Sequence, residues 1–297
     1  MKKRITLMGL LSLLFFTGCQ KNTSIQERTY LSGIKGDLYT SFVADETTVI
    51  SDVIYDSKKQ LGMDVYLCQS EDFREEPRAG ILLFHGGGFT KGDKKTDDLT
   101  KALSIDLSRM GYIVFNVNYS LSKEGNISAV KKACQDIENA VQYIQEHSEE
   151  YGVDKHHLAL GGYSAGAILA KDLVYSNRYQ VNTNDIFAVI DLAGGNLSFG
   201  SPDETNPDCF IVHGIEDTTV PYSDALDFAN QLEQNQVVYE LYAIEEIGHT
   251  LISEFDNIRN KSAEFLYERL TGQSVSIQLF SKTNPEYEKI ETGKRIM

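Results

Sequence analysis

The segment Gly162-Tyr163-Ser164-Ala165-Gly166 limits what this chain can fold into more than any other stretch. It has the form G-x-S-x-G and lies between a short expected strand, His157 to Leu160, and a helix-period run, Ala165 to Tyr175. A strand that turns straight into a helix at a serine needs glycine on both sides, because the turn strains the serine backbone and brings neighbouring chains close. Such a turn leaves the hydroxyl exposed above a sheet. The rest of the chain must therefore supply parallel strands, crossover helices and loops at the strand ends.

It does so. Strand signals fall at Thr47 to Tyr55, Met63 to Leu67, Gly80 to Phe84, Tyr112 to Val117, Leu158 to Leu160, Phe187 to Leu192, Cys209 to Val212 and Val237 to Ala243. Helix-period segments separate most of them. In Ser128 to His147, Val130, Ala133, Ile137, Val141 and Ile144 recur at three- and four-residue spacing, which sets them on one face. The other expected helices are Asp97 to Met110, Ala165 to Tyr175, Ser223 to Leu232 and Phe255 to Leu270. Strands alternating with helices imply right-handed crossovers and a mostly parallel sheet covered on both faces. The first two strands are expected to form an antiparallel edge, and Val275 to Phe280 is a candidate extra strand. The stretch between Leu192 and Cys209 is too short for a large helical cap.

The first 19 residues stand apart. Lys2, Lys3 and Arg4 precede an uncharged, mostly apolar run from Ile5 to Gly18. That run is shorter than the about 20 residues needed to cross a bilayer, and its layout is that of a secretory signal. Phe16-Thr17-Gly18-Cys19 resembles the lipobox of bacterial lipoproteins, with Phe16 where leucine is usual. The resemblance implies cleavage before Cys19, lipidation of that cysteine, and a protein held at the outer face of the cell membrane. The expected organisation is a signal peptide over 1–18, a polar tether over 19–45, a catalytic domain over 46–272 and a tail over 273–297.

The formal net charge of −15 becomes more negative once Lys2, Lys3 and Arg4 are removed. Such a body repels nucleic acid and offers no basic patch to anionic lipid, so membrane attachment would rest on Cys19 alone. The remaining cysteines, Cys68, Cys134 and Cys209, can form at most one disulfide, which excludes a disulfide scaffold. They are expected to be buried. Histidines and cysteines do not cluster at ligand spacing and no H-E-x-x-H occurs, so neither a metal nor a cofactor is expected.

His85-Gly86-Gly87-Gly88-Phe89 follows the strand Gly80 to Phe84 directly. Successive glycines at the C-terminal end of a strand let backbone N–H groups point into a cleft, where they can hold a developing oxyanion. No phosphate-loop pattern can be drawn through them. The candidate donors are Gly87, Gly88 and Ala165. A serine hydroxyl needs a base to become a nucleophile, and the base needs an orienting acid. His249 lies on a loop after the strand Val237 to Ala243. His85 and His213 sit in tight turns beside glycine, while His147, His156 and His157 look peripheral. For the acid, Glu216 and Asp217 both follow the strand Cys209 to Val212.

These motifs together resemble the α/β-hydrolase superfamily, in particular the esterase/lipase branch with an HGGGF motif, which includes carboxylesterases, hormone-sensitive-lipase-like esterases and feruloyl and acetyl-xylan esterases. The resemblance runs from about Ile54 to Leu270. Met63-Asp64-Val65-Tyr66-Leu67 is similar to the L-D-V-Y-x-P strand of that branch, and Asn118-Tyr119-Ser120-Leu121 to its N-Y-R-L segment, with serine in place of arginine. His213 to Pro221 is similar to an H-G-x-x-D-x-x-V-P element, which selects Asp217 over Glu216. The resemblance implies a triad of Ser164, Asp217 and His249 in the chain order of this fold. It also marks Asp136 as an acidic position common in the branch, expected to serve as a structural hydrogen-bonding residue.

The implied activity is hydrolysis of short-chain carboxylic esters through an acyl-enzyme, with acetyl or feruloyl esters of carbohydrates as candidate substrates. A peptidase of the dipeptidyl-peptidase type shares the H-G-x-x-D-x-x-V-P element, but carries a large extra domain that this sequence lacks. A non-catalytic binding protein on the same fold usually loses a triad member, and here all three are present.

Overall fold

A computed structural model of the chain describes residues 30–68, 76–196 and 202–279. Eight strands form one sheet: β1 (Thr48–Asp56), β2 (Leu61–Leu67), β3 (Arg78–Phe84), β4 (Ile113–Val117), β5 (Val153–Tyr163), β6 (Ile186–Leu192), β7 (Asp208–Gly214) and β8 (Tyr239–Ile244). Their order across the sheet is β1-β2-β4-β3-β5-β6-β7-β8. β1 pairs with β2, and β2 with β4, antiparallel; every later pair is parallel. The antiparallel edge and the parallel body both match the sequence reading.

Among the described residues six α-helices flank the sheet: α1 (Asp98–Arg109), α2 (Ile127–Glu146), the short α3 (Ser148–Tyr151), α4 (Ala165–Tyr175), α5 (Tyr222–Gln234) and, after the last strand, α6 (Phe255–Thr271). Successive strand residues point to opposite faces, so β3 splits its side chains between two cores. Leu82 and Phe84 join the face covered by α2, α4 and α5, and Ile81 and Leu83 the face covered by α1 and α6. This is why the central strands are apolar without alternation, as parallel strands buried on both sides must be.

The described residues on both flanks of the domain pack on it. Over residues 30–45 the expected tether is docked on the domain. Tyr39 is 1% exposed, its hydroxyl accepts from the Ala79 N–H at 3.0 Å, and its ring lies 4.4 Å from that of Tyr112. Further bonds join Tyr39 N–H to Met110 O, Val43 N–H to Arg109 O and Leu31 N–H to Leu270 O. These contacts lie at the start of β3 and the ends of α1 and α6, the edge of the sheet opposite Ser164. At the other boundary, 273–279 packs back on α6 rather than forming a strand: Ile277 N–H donates to Glu264 at 2.7 Å and Leu279 N–H to Asn260 at 3.2 Å. The signal segment 1–18 and Cys19 lie outside the described residues. Cys68, Cys134 and Cys209 are buried free thiols.

Candidate active site

The turn after β5 is as tight as its glycines require. A side chain at Gly166 would come within 2.0 Å of Phe84 O, and one at Gly162 within 2.4 Å of the Gly166 backbone. Ser164 between them holds φ 55°, a conformation costing of order 1–3 kcal/mol in a non-glycine residue. Its N–H donates to Leu192 O at 2.8 Å, and its carbonyl accepts from Ile168 N–H to begin α4. The turn therefore locks onto β6 on one side and a helix on the other.

His249 enters on the loop between β8 and α6, and Asp217 on the loop after β7. His249 Nε2 lies 2.9 Å from Ser164 Oγ and His249 Nδ1 lies 2.7 Å from Asp217 Oδ2. The Asp217 side chain is fully buried and the His249 side chain 18% exposed, so the carboxylate is shielded while the imidazole edge stays reachable. Asp217 Oδ1 accepts from the N–H groups of Thr219 and Val220, which leaves Oδ2 turned to the imidazole. Glu216 is exposed, and its N–H donates to Ile247 O at 3.0 Å. That bond and the close passage of Ile247 O over Gly214, 2.3 Å from where a Cβ would stand, fasten the two loops together.

The glycine loop closes the other side. Gly87 and Gly88 have φ of 118° and 61°, and a side chain on Gly87 would strike Lys91 O. Gly86 N–H donates to Asp97 Oδ2 at 2.9 Å, while Asp97 Oδ1 caps α1 through Thr100 N–H. Gly86 also lies against Ser164, whose Cβ would be 3.4 Å from a Cβ added there. Among the described residues, no acceptor meets the N–H groups of Gly87 and Gly88. Ala165, the first residue of α4, has no intrahelical acceptor for its N–H and adds the positive end of the helix dipole. These groups can stabilise negative charge beside Ser164 Oγ.

The other histidines are placed elsewhere. His85 is buried, stacks on Tyr119 at 4.3 Å and is kept neutral to lower pH by burial. His213 is buried with Nε2 2.9 Å from Val220 O and 3.4 Å from Asp217 Oδ2, so it braces the acid loop. His147, His156 and His157 pair with Tyr143 O, Asp185 and Asp154, away from Ser164. Asp136 is buried and accepts from Ser120 N–H at 2.8 Å. One site residue escaped the sequence reading: Tyr163, inside the G-x-S-x-G segment, whose hydroxyl is 2.8 Å from His249 O and whose ring stacks on the imidazole at 5.3 Å.

Comparison with known proteins fits this geometry. The BD-FAE family model matches residues 63–196, and the model of the prolyl oligopeptidase family residues 195–270. Esterase LipI of Mycobacterium tuberculosis is 37% identical over 93 residues, 30% of this chain and 27% of that protein. The chain thus spans about a quarter of that relative's length. Among solved structures, esterase 2 of Thermogutta terrifontis phosphorylated by paraoxon superposes with a TM-score of 0.62 at 19% identity, over 77% of this chain and 96% of the other. A truncated carbohydrate esterase from gut microbiota gives 0.61 at 17% identity, over 78% of this chain and 99% of the other. At such identities the structures speak for the fold. They share the α/β-hydrolase fold with this chain, and the two family matches fall on the parts of it that carry Ser164 and the Asp217–His249 pair.

Proposed function

We propose that this protein is a serine carboxylic ester hydrolase acting on short acyl groups, with esters of carbohydrates among its substrates. The observation that carries the reading is the continuous line Ser164 Oγ, His249 Nε2, His249 Nδ1, Asp217 Oδ2, with links of 2.9 and 2.7 Å. In this reading Ser164 Oγ attacks the ester carbonyl carbon as His249 Nε2 takes its proton. Asp217 holds the imidazole in the tautomer that leaves Nε2 free and steadies the imidazolium that forms. The tetrahedral oxyanion lies against the N–H groups of Gly87, Gly88 and Ala165, each worth roughly 10²–10³ in rate by analogy with measured donors. Collapse breaks the C–O bond and His249 returns the proton to the departing alcohol. Water, deprotonated by the same imidazole, then releases the acid from Ser164.

Support for the carbohydrate side comes from the carbohydrate esterase among the structural neighbours. The prolyl oligopeptidase match over residues 195–270 favours a peptidase as the second reading, since it covers the loops of both Asp217 and His249. One panel separates the two: p-nitrophenyl acyl esters and acetylated or feruloylated sugars beside aminoacyl p-nitroanilides, each with wild type and Ser164→Ala. Ester turnover that vanishes in Ser164→Ala supports the esterase. Faster turnover of the anilides assigns the peptidase.

A further inference from the structure

Asp136 is fully buried on α2, where a lone carboxylate carries a heavy desolvation cost unless a cation reaches it. The cation does not come from the neighbouring loop: position 120, arginine in the segment this chain resembles, is serine. It comes from Lys59, on the turn between β1 and β2, whose Nζ bonds directly to Asp136 Oδ1. That bond holds the lysine pKa above its usual value. The other oxygen, Oδ2, accepts the Ser120 N–H.

What Ser120 belongs to gives this pair its use. The segment 119–125 lies along the HGGGF loop and touches it at several points. Tyr119 donates its hydroxyl to His85 O at 2.8 Å and stacks on the His85 ring. Ser122 N–H donates to Phe89 O at 2.9 Å. Gly125 packs so close that an added Cβ would stand 2.5 Å from Gly88 O. Both ends of the loop that presents Gly87 and Gly88 therefore rest on a segment pinned at Ser120. The same hairpin pins its start, through Tyr55 Oη donating to Asn118 O at 2.6 Å.

We infer that Lys59 is a positioning residue for the oxyanion hole, acting through Asp136 and the Ser120 backbone to hold the HGGGF loop against Ser164. This rests on the assignment of Gly87 and Gly88 as oxyanion donors. Lys59 is about a third exposed on a surface turn, where its ammonium group pairs with Asp136 and Asp56. Its removal leaves substrate contacts intact and loosens only the donors that act in the transition state.

The test compares wild type, Lys59→Ala and the double variant Lys59→Ala/Asp136→Asn, in which a neutral amide still accepts the Ser120 N–H and needs no counter-ion. Two readouts are taken: ester hydrolysis kinetics, and amide hydrogen exchange of residues 85–92 and 119–125. In Lys59→Ala, kcat is expected to fall roughly 10- to 100-fold, as for a small misplacement of catalytic groups, with KM changed less than about twofold. Exchange in both segments should quicken about tenfold, the size expected when local opening becomes easier by one hydrogen bond. The double variant should recover most of both losses. Should Lys59→Ala not fold, Lys59→Gln carries the same comparison. Unchanged exchange overturns the inference. So does faster exchange with kcat intact, or a loss confined to KM. If wild type hydrolyses no ester, the assignment of function fails, and exchange alone still decides whether Lys59 supports the loop.

Discussion

The hydroxyl of Tyr163 donates to the backbone carbonyl of His249 across 2.8 Å, so the residue before the nucleophile holds the loop that carries the base. Burial pushes this phenol up to about 12, so it remains a donor through any working pH. Tyr163→Phe keeps the ring that stacks on His249 and removes only the bond. A single hydrogen bond contributes about 0.5–1.5 kcal/mol net, and kcat should fall by roughly threefold to tenfold with the fold unchanged. Equal kcat values for the two proteins would show that the loop needs no such support.

The acid assignment makes a sharper contrast. Asp217→Asn leaves a side chain of the same shape but favours the wrong imidazole tautomer, and a loss of ~10⁴-fold in kcat is expected by analogy with serine proteases. Glu216→Gln alters an exposed side chain and should change kcat less than about twofold, as surface substitutions remote from a site usually do. Ser164→Ala should remove nearly all turnover. Steady-state kinetics on one p-nitrophenyl ester decides all three, and greater damage from Glu216→Gln than from Asp217→Asn would reverse the assignment.

Most of this site was legible in the sequence because each of its four loops is announced by glycine next to an apolar run. Ser164 and Gly87 need backbone conformations that few sequences allow, and His249 and Asp217 follow strands whose ends are well marked. What could not be read is what depends on contacts distant in sequence. Tyr163 occupies the variable position of its motif, and nothing local says that its hydroxyl reaches residue 249. Lys59 looks like one more surface charge until Asp136, on another element, is placed beside it.

The same cause explains the boundaries that moved. β5 was visible only as Leu158 to Leu160, since Asp154, Lys155, His156 and His157 are polar; the strand runs from Val153 because Arg78 and Ala79 of β3 pair with its start. Residues 30–45 form no regular element, yet Leu38 and Tyr39 fill the gap beside Gly111 and Tyr112, and Leu31, Ile34, Phe42 and Val43 pack on the same core. Their partners are distant in sequence, so nothing local marks the docking.

Acid should expose the hairpin that braces the glycine loop. Asp52 bonds Lys94 Nζ at 2.8 Å and Lys95 Nζ at 2.5 Å, and chiefly the Lys94 bond lowers its pKa from 3.8 to about 2. A carboxyl with a depressed folded-state value binds its proton first in the unfolded chain. Its contribution to stability is thus present above about 3.8 and is lost as pH falls through about 2. Asp52→Asn should lower Tm at neutral pH, and the gap between variant and wild type should shrink across that window. A gap independent of pH would trace the effect to packing instead of charge.

The export reading predicts that the mature protein partitions with membranes and detergent, and that Cys19→Ala blocks processing or frees the protein. Metabolic labelling with a palmitate analogue, followed by fractionation, checks both. Soluble wild-type protein cleaved at another site and carrying no lipid rules the anchor out.

The acyl-length preference follows from what covers the cleft. In this fold a greasy lid can be supplied by the connection after β6 or by a segment ahead of the first strand. The first of these, between Leu192 and Asp208, is too short to carry a large helical cap. The second, over residues 30–45, is docked at the starts of the strands, on the far side of the sheet from Ser164. Long acyl chains gain affinity from CH₂ groups removed from water, about 0.8 kcal/mol each, and an open cleft forfeits much of that gain. Short acyl groups lose little by it, and a bulky sugar on the alcohol side has room to stand clear of the loops. Acetyl to butyryl esters should therefore be turned over with higher kcat/KM than esters of about ten carbons or more, and acetylated or feruloylated oligosaccharides should be substrates. A series of p-nitrophenyl esters from two to twelve carbons reads the preference directly. A kcat/KM that climbs steadily along that series would mean that the acyl chain is buried after all, and would make the protein a lipase.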